Sequence, residues 1–349
     1  MNKVGQGNKR ALPIILYISI VSIFIITMFS FFYFRQKFFT IGLSKEVDYE
    51  TYKKHYVMIT SDTKSPFWEA VYQEARTEAK AYNAYVEYMG KNLSTPYDTK
   101  ELLKIATNCN VDGIILEGDE SEETTNLINK AVEKGIMVIT VLKDNPKSKR
   151  QCFIGVNNYN LGKLYGEQVL ALYKGEPERV LVLMDSGSSD TNQNIVYSSI
   201  KETIYEGLKE SDTVELQAVS IRNDNRFSSE ESIRDIIMDV KHLPSIMICL
   251  NDIDTKCAYQ AVVDHNKVGE IDILGYYDSQ DILAAIQKQI VHSTVAIDSK
   301  EMGSLCIWAL EEYKTSGHVS SYLTADMEMI TMKELDIYLQ KMNEVGTTP

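Results

Sequence analysis

The chain has 349 residues, 44% hydrophobic and 24% charged, proportions of a globular protein with a large core and enough length for about two domains. Lys and Arg total 36 against 49 Asp and Glu, and the resulting net charge of -13 excludes a protein that lives by neutralising phosphates. Nucleic acid is therefore not an expected partner.

The N-terminal end carries the strongest local signal. Residues 11–34 contain no charged side chain and are dense in Ile, Leu and Phe, which predicts a transmembrane helix, since about 20 apolar residues cross a hydrocarbon core of about 30 Å. Lys3, Lys9 and Arg10 precede it, so residues 1–10 are expected in the cytoplasm and everything after Phe34 outside, with Arg35 and Lys37 opposing that orientation. The run is too long for a cleaved secretory signal, and neither an A-x-A site nor a nearby cysteine follows it, which favours an uncleaved signal anchor. Residues 35–55 then form a juxtamembrane stalk.

From Tyr56 onward, apolar runs alternate with amphipathic stretches, the pattern of βαβ units around a parallel sheet. Strands are predicted at 56–60, 113–116, 136–142, 180–184, 245–250, 271–276 and 293–297, each almost continuously apolar, as strands buried on both faces must be. Helices are predicted at 67–82, 124–134, 161–173, 195–208, 230–241, 256–266 and 301–313, where apolar positions recur at helical spacing. About eleven strands overload one core, so two lobes are expected. Ligands of open α/β sheets bind beyond the carboxyl ends of the strands. The loops there, from 61–66 to 298–300, are crowded with Ser, Asn and Asp, residues that first of all cap helices and also hydrogen-bond polar ligands.

Other chemistries fail on spacing. The segment Asp190-Thr191-Asn192-Gln193-Asn194 begins like a calcium loop, but Ile195 occupies the glycine position and Lys201 that of the bidentate acid. The five histidines show no H-x-x-x-H spacing, and Ser186-Gly187-Ser188-Ser189 lacks the glycines of a nucleophile elbow. The acidic run Glu117 to Glu123 reads as a solvated helix start. The five cysteines, Cys109, Cys152, Cys249, Cys257 and Cys306, read as buried small apolar residues rather than a disulfide framework. No metal or cofactor is expected.

A first strand leading into Ser61-Asp62-Thr63-Lys64-Ser65-Pro66-Phe67-Trp68 is followed by Val111-Asp112-Gly113-Ile114-Ile115 and Gly135-Ile136-Met137-Val138-Ile139-Thr140. Gly155-Val156-Asn157-Asn158 with Gly162, Cys249-Leu250-Asn251-Asp252, Gly275-Tyr276-Tyr277-Asp278 and Val295 to Gly303 come next, in order. In this series the chain, over residues 55–331, resembles the type I periplasmic sugar-binding proteins of the ribose-binding class, which share their fold with the effector domains of LacI-type repressors. The resemblance implies two doubly wound parallel-sheet α/β lobes joined by a three-strand hinge and closing over a ligand. Lobe one would comprise 56–156 and 298–322, and lobe two 157–297 and 327–331. Residues 332–349 would add a C-terminal helix and tail.

By family position, Ser61, Ser65, Phe67 and Trp68 line the first lobe, with Ser65 where asparagine is usual. Asn157 and Asn251 keep the expected types. Lys143 and Asp144 stand in, with a shift, for an Asp-Arg pair, and Asn194 lies near the place of a sugar-gripping arginine. Tyr277 and Asp278 take the place of a Phe-Asp pair, one position late, and Asp298 neighbours Ile297, which replaces a glutamine. These departures remove the charged clamp and point away from ribose. From the residues themselves, Phe67 and Trp68 suit the apolar faces of a sugar and the Asn and Asp side chains its hydroxyls.

The expected function is reversible capture of a small polar ligand, a carbohydrate, without covalent chemistry. The implied partner is the permease of an ABC sugar importer, with a membrane sensor histidine kinase or chemoreceptor as the alternative. A surface hydrolase is the contrasting enzyme class. A transcription regulator is excluded, because an apolar segment stands where a helix-turn-helix would be needed.

Overall fold

A computed structural model describes residues 11–40, 52–93, 97–176, 178–185, 191–209, 212–222 and 226–345. The expectations placed on residues 1–10, on stalk residues 41–51, on Ser186-Gly187-Ser188-Ser189 with Asp190, and on the tail 346–349 fall outside them. The chain divides into two units, Met1–Thr51 and Tyr52–Pro349.

The first unit contains α1 (Ala11–Thr40), 30 residues long. It continues through Arg35 and Lys37, beyond Phe34, because both are good helix formers and a charge does not interrupt backbone bonding. Its apolar side chains stand exposed, Phe29 at 77% and Tyr17 at 71%. Among the described residues, no helix is long and apolar enough to cross a membrane, and the described side chains of α1 cover only Tyr17 and 19–33.

In the second unit, one sheet begins with β1 (Lys54–Ile59), α2 (Pro66–Ala81), β2 (Ala84–Tyr88), α3 (Thr99–Asn108), β3 (Gly113–Leu116), α4 (Glu122–Glu133), β4 (Met137–Val141) and β5 (Cys152–Val156). A second sheet follows with α5 (Asn158–Leu172), β6 (Glu178–Asp185), α6 (Thr191–Gly207), β7 (Val214–Ile221), α7 (Arg226–Met238), β8 (Ile246–Cys249), α8 (Asp252–Asp264), β9 (Asp272–Tyr276), α9 (Gln280–Gln287) and β10 (Ser293–Ile297). The chain closes with α10 (Ser299–Ser316), β11 (Tyr322–Ala325), β12 (Met327–Thr331) and α11 (Met332–Val345).

The strand orders are β11-β5-β4-β3-β1-β2 and β12-β10-β9-β8-β6-β7. All neighbours are parallel except β12, which runs antiparallel to β10. These are two α/β lobes with parallel-dominated sheets, and the chain passes between the sheets after β5, after β10 and after β11. The central strands β3, β4, β8 and β10 are buried at every residue, as helices on both faces require. Edge strand β2 alternates between buried and open positions and β7 is buried only at its two ends, so a criterion of continuous apolar runs passes them over. Cys109 corrects the reading of all five cysteines as buried: it caps the end of α3 and is exposed, whereas the other four are buried.

Each lobe is held by one close helix pair. Gly303 of α10 faces α2 so tightly that a Cβ would lie 2.5 Å from the Val71 carbonyl oxygen, and Gly162 of α5 faces α6 with the Val196 carbonyl 2.4 Å from the same point. In the second lobe the buried Tyr165 hydroxyl donates to the Gly275 carbonyl at 2.8 Å and lies 3.2 Å from that of Cys249, tying α5 to the ends of β8 and β9. Gly303→Val is expected to force α2 and α10 apart and to cost about 1–3 kcal/mol of stability, as overpacking does. Chemical denaturation measures this; an unchanged midpoint would show that the pair separates freely.

Candidate functional site

Parallel strands deliver their carboxyl ends to one edge of a sheet, so the loops after β1, β3 and β4 gather at one mouth in the first lobe. Glu117, directly after β3 and only 8% exposed, organises that mouth. Its Oε2 accepts from both the backbone N–H and the hydroxyl of Ser61, each at 2.7 Å, while Oε1 pairs with Lys143 at 2.9 Å. Lys143 is itself largely exposed, which makes the ion pair a weak contribution, and the Ser61 bonds to a buried carboxylate the stronger one. The Gly118 N–H donates to the Lys143 carbonyl at 3.0 Å and keeps the two loops in contact.

At the start of α2, Pro66 sets the first helical turn and Ser65 is the N-cap residue, although its hydroxyl makes no capping bond. The buried stripe of α2 then runs Trp68, Val71, Ala75, Ala79. Trp68 turns into the lobe, while Phe67 stays half-buried with its ring 5.3 Å from the indole.

Asp144 is committed to Arg150. Both its oxygens receive the Arg150 guanidinium at 2.6 Å, the Thr140 hydroxyl adds a third bond, and Arg150 passes on to the Ser321 carbonyl at 2.9 Å. Asp144 thus braces the approach to β11 and the third passage between the sheets. Its neighbour Asn145, 1% exposed, joins the β4 loop to the carbonyls of Asp119 and Ser121.

In the second lobe Asn251 is the N-cap of α8, its Oδ1 accepting from the Asp254 N–H at 2.7 Å. The adjacent Asp252 pairs one oxygen with Lys256 at 2.9 Å, and its other, buried oxygen has no hydrogen-bond partner among the described residues. The buried Ser279 hydroxyl is in the same position. Tyr277 and Asp278 directly precede Ser279 in the chain. The Asp278 carboxylate accepts from Tyr338 of α11 at 2.5 Å, and burial, with Asp252 nearby, raises its pKa above the ordinary range despite that bond. Burial likewise holds the Tyr277 hydroxyl well above the usual range, with Tyr276, Glu117 and Asp252 adding to it.

That influence of a first-lobe carboxylate on a second-lobe phenol reflects how the mouths meet. The rings of Phe67 and Tyr277 lie 5.1 Å apart. This contact brings the start of α2, which carries Phe67, against the loop after β9, which carries Tyr277 and Asp278, while Glu117 ties Ser61 and Lys143 together in the first lobe and Asn251 caps α8. Asn157 and Asp298 are exposed N-caps of α5 and α10, at the first and second passages between sheets, and Asn194 is exposed on the first turn of α6. Sequence reasoning passed over Glu117, Asp252 and Ser279. The available signal was position: Glu117 follows four buried strand residues directly, where a solvated helix start would leave a gap.

Residues 56–317 match the family model described as "Periplasmic binding protein domain". None of the curated proteins matches this chain. Among solved structures, GanP, a glucose-galactose binding protein from Geobacillus stearothermophilus, superposes with a TM-score of 0.69 at 22% identity over 81% of this chain and 98% of that one. The sugar-binding protein of a sugar ABC transporter from Bacillus halodurans gives 0.70 at 23% over 82% and 100%. XylFII in the XylFII-LytSN complex gives 0.64 at 24% over 80% and 98%. With the family model covering nearly the whole two-lobed unit, this chain belongs to the periplasmic binding protein domain family.

Proposed function

We propose that this protein is an extracytoplasmic solute-binding protein that reversibly captures a carbohydrate between its lobes and carries out no covalent chemistry. The observation that carries the reading is the meeting of the two mouths at Phe67 and Tyr277, together with the buried, unpartnered Oδ1 of Asp252 and hydroxyl of Ser279 on the second-lobe segments after β8 and β9. A buried acceptor and hydroxyl without partners cost free energy until a ligand hydroxyl reaches them, and the aromatic faces suit the apolar side of a sugar ring. Glucose and galactose in the name of GanP, and D-arabinose and D-allose in two further structures of this fold, support the same ligand class.

The ligand set proposed comprises Ser61, Ser65, Phe67, Trp68, Lys143, Asn251, Tyr277 and Asp278, with Asp252 and Ser279 added. Asp144, Asn157, Asn194 and Asp298 contribute only if the lobes bring them nearer on closure. The partner proposed is an ABC importer permease, as the Bacillus halodurans relative supports. A sensing role beside a membrane histidine kinase or chemoreceptor is the second reading. It is favoured by the existence of a XylFII-LytSN complex, in which a relative of this fold binds another protein. The exposed apolar face of α1 is proposed as a membrane anchor over residues 11–34, since a helix of 30 residues reaches about 45 Å, beyond a core of about 30 Å.

Calorimetric titration of the full chain in detergent against pentoses, hexoses, disaccharides and inositols is expected to give saturable binding by at least one sugar. Trp68→Ala is expected to weaken it about tenfold or more, and silence across the panel would end the carbohydrate reading. Mass spectrometry after incubation with glycosides is expected to return them unchanged; product would point to the hydrolase class. After alkaline extraction of membranes, the full chain should remain in the pellet and a chain lacking residues 1–40 should be released.

A further inference from the structure

The last helix of the chain docks on the second lobe by one face. α11 follows β12 directly. Glu334 accepts from the Thr331 N–H at 3.1 Å and from the Thr331 hydroxyl, and that hydroxyl accepts from the Lys333 N–H at 3.1 Å, which fixes the first turn. Leu335 is buried in the apolar cluster of the second lobe, and Tyr338 and Leu339, on the same helix face at i+3 and i+4, pack against that cluster. Ile337, off that face, is exposed.

A phenol on a docking face carries a polar atom that needs a partner. The Tyr338 hydroxyl donates to Oδ2 of Asp278 at 2.5 Å, across 60 residues of chain, and this is the one side-chain hydrogen bond that Asp278 receives among the described residues. Burial and the Asp278 carboxylate, then Glu328 of β12 and Asp298 at the second passage between the sheets, hold the phenol far above the usual range, so it keeps its proton at every physiological pH. A permanent donor makes its partner oxygen a permanent acceptor and leaves the other carboxylate oxygen to a further donor. The backbone of the same loop is held from the β10 side, where the Tyr277 N–H donates to the Val295 carbonyl at 2.9 Å and the Thr294 hydroxyl to the Tyr277 carbonyl at 2.6 Å. Those bonds fix the path of the chain, and Tyr338 fixes the Asp278 side chain.

We infer that Tyr338 is a positioning residue of the binding site, through which the C-terminal helix holds Asp278 with one oxygen occupied and the other presented to a ligand hydroxyl. The inference rests on the proposed carbohydrate site, in which Asp278 is a ligand group. Tyr338 acts through Asp278 and is not itself a ligand group. α11 thereby does more than cover β12 and α9, against which it packs. Without the phenol hydroxyl the carboxylate is free to turn, and that freedom is lost again each time a ligand binds.

The test is calorimetric titration of the full chain in detergent with the best sugar of the panel, for the parent, Tyr338→Phe, Asp278→Ala and the double variant. Tyr338→Phe keeps the ring on the docking face and removes the donor. It is expected to weaken binding about five- to tenfold, the scale of one hydrogen bond to a charged group. In the Asp278→Ala background the same substitution is expected to change affinity by less than about twofold, because a residue acting through Asp278 then has nothing to act on. No loss in the parent background, an equal loss in both backgrounds, or an Asp278→Ala variant that binds as tightly as the parent overturns the inference. The pH profile is a second readout. Burial first, with Asp252 of α8 adding to it, raises the Asp278 pKa, and the Tyr338 bond lowers it, so losing that bond moves it further up. Binding to the ionised carboxylate weakens as pH falls through that pKa, and the weakening is expected at higher pH in Tyr338→Phe than in the parent; superimposable profiles make α11 a structural element and overturn the inference. A parent silent to every sugar ends the carbohydrate reading and the inference together, whereas a parent that binds beside an equally binding Tyr338→Phe ends the inference alone.

Discussion

The contact between Phe67 and Tyr277 is the point on which the description of the cleft depends. It is made by two half-buried rings from different sheets, and each is placed by a different device: Phe67 by a proline-initiated helix, Tyr277 by a left-handed backbone clamped between β10 and α11. Without that contact the groups of the two mouths would be two unrelated sets of caps and ion pairs. With it, burial and, after it, Tyr276, Glu117 of one lobe and Asp252 of the other all raise the pKa of the same phenol.

Charge separates this cleft from one built around a guanidinium clamp. Arg150, which precedes β5, is bound to Asp144 and to the Ser321 carbonyl, so both partners are committed to bracing β11. The exchange has a physical logic. A bidentate pair with both members largely buried is costly to break, about 3–5 kcal/mol when one partner is removed, so it serves better as a fixed brace than as a ligand grip that must open. In the proposed carbohydrate site the groups offered are neutral and acidic instead, Asp252 and Ser279 among them.

Much of the fold was legible along the chain. Strands buried on both faces must be continuously apolar, and β1, β3, β4, β6, β8, β9 and β10 all lie within or beside such runs. The apolar-run criterion passed over β2, β7, β11 and β12, which lie at sheet edges and are partly open, and also β5, five buried residues with Cys152 and Gly155 among them. The site was legible in part. Asn157, Asn251 and Asp298 each satisfy orphan N–H groups at helix starts, and a cap and a ligand group look alike in sequence because both need a short side chain with an acceptor oxygen.

What the sequence determined by itself is therefore periodic and local: the alternation of parallel strands and helices, the capping residues, the apolar run of α1, and the presence of Phe67 and Trp68 at a helix start. Only the tertiary structure decided which partners the candidates take. Asp144 and Asp278 are the same residue type in similar loops, yet one is absorbed by Arg150 six residues on and the other by Tyr338 sixty residues on. Hydrogen-bond partners at such separations depend on how sheets and the last helix pack, and no pattern of neighbouring residues encodes them.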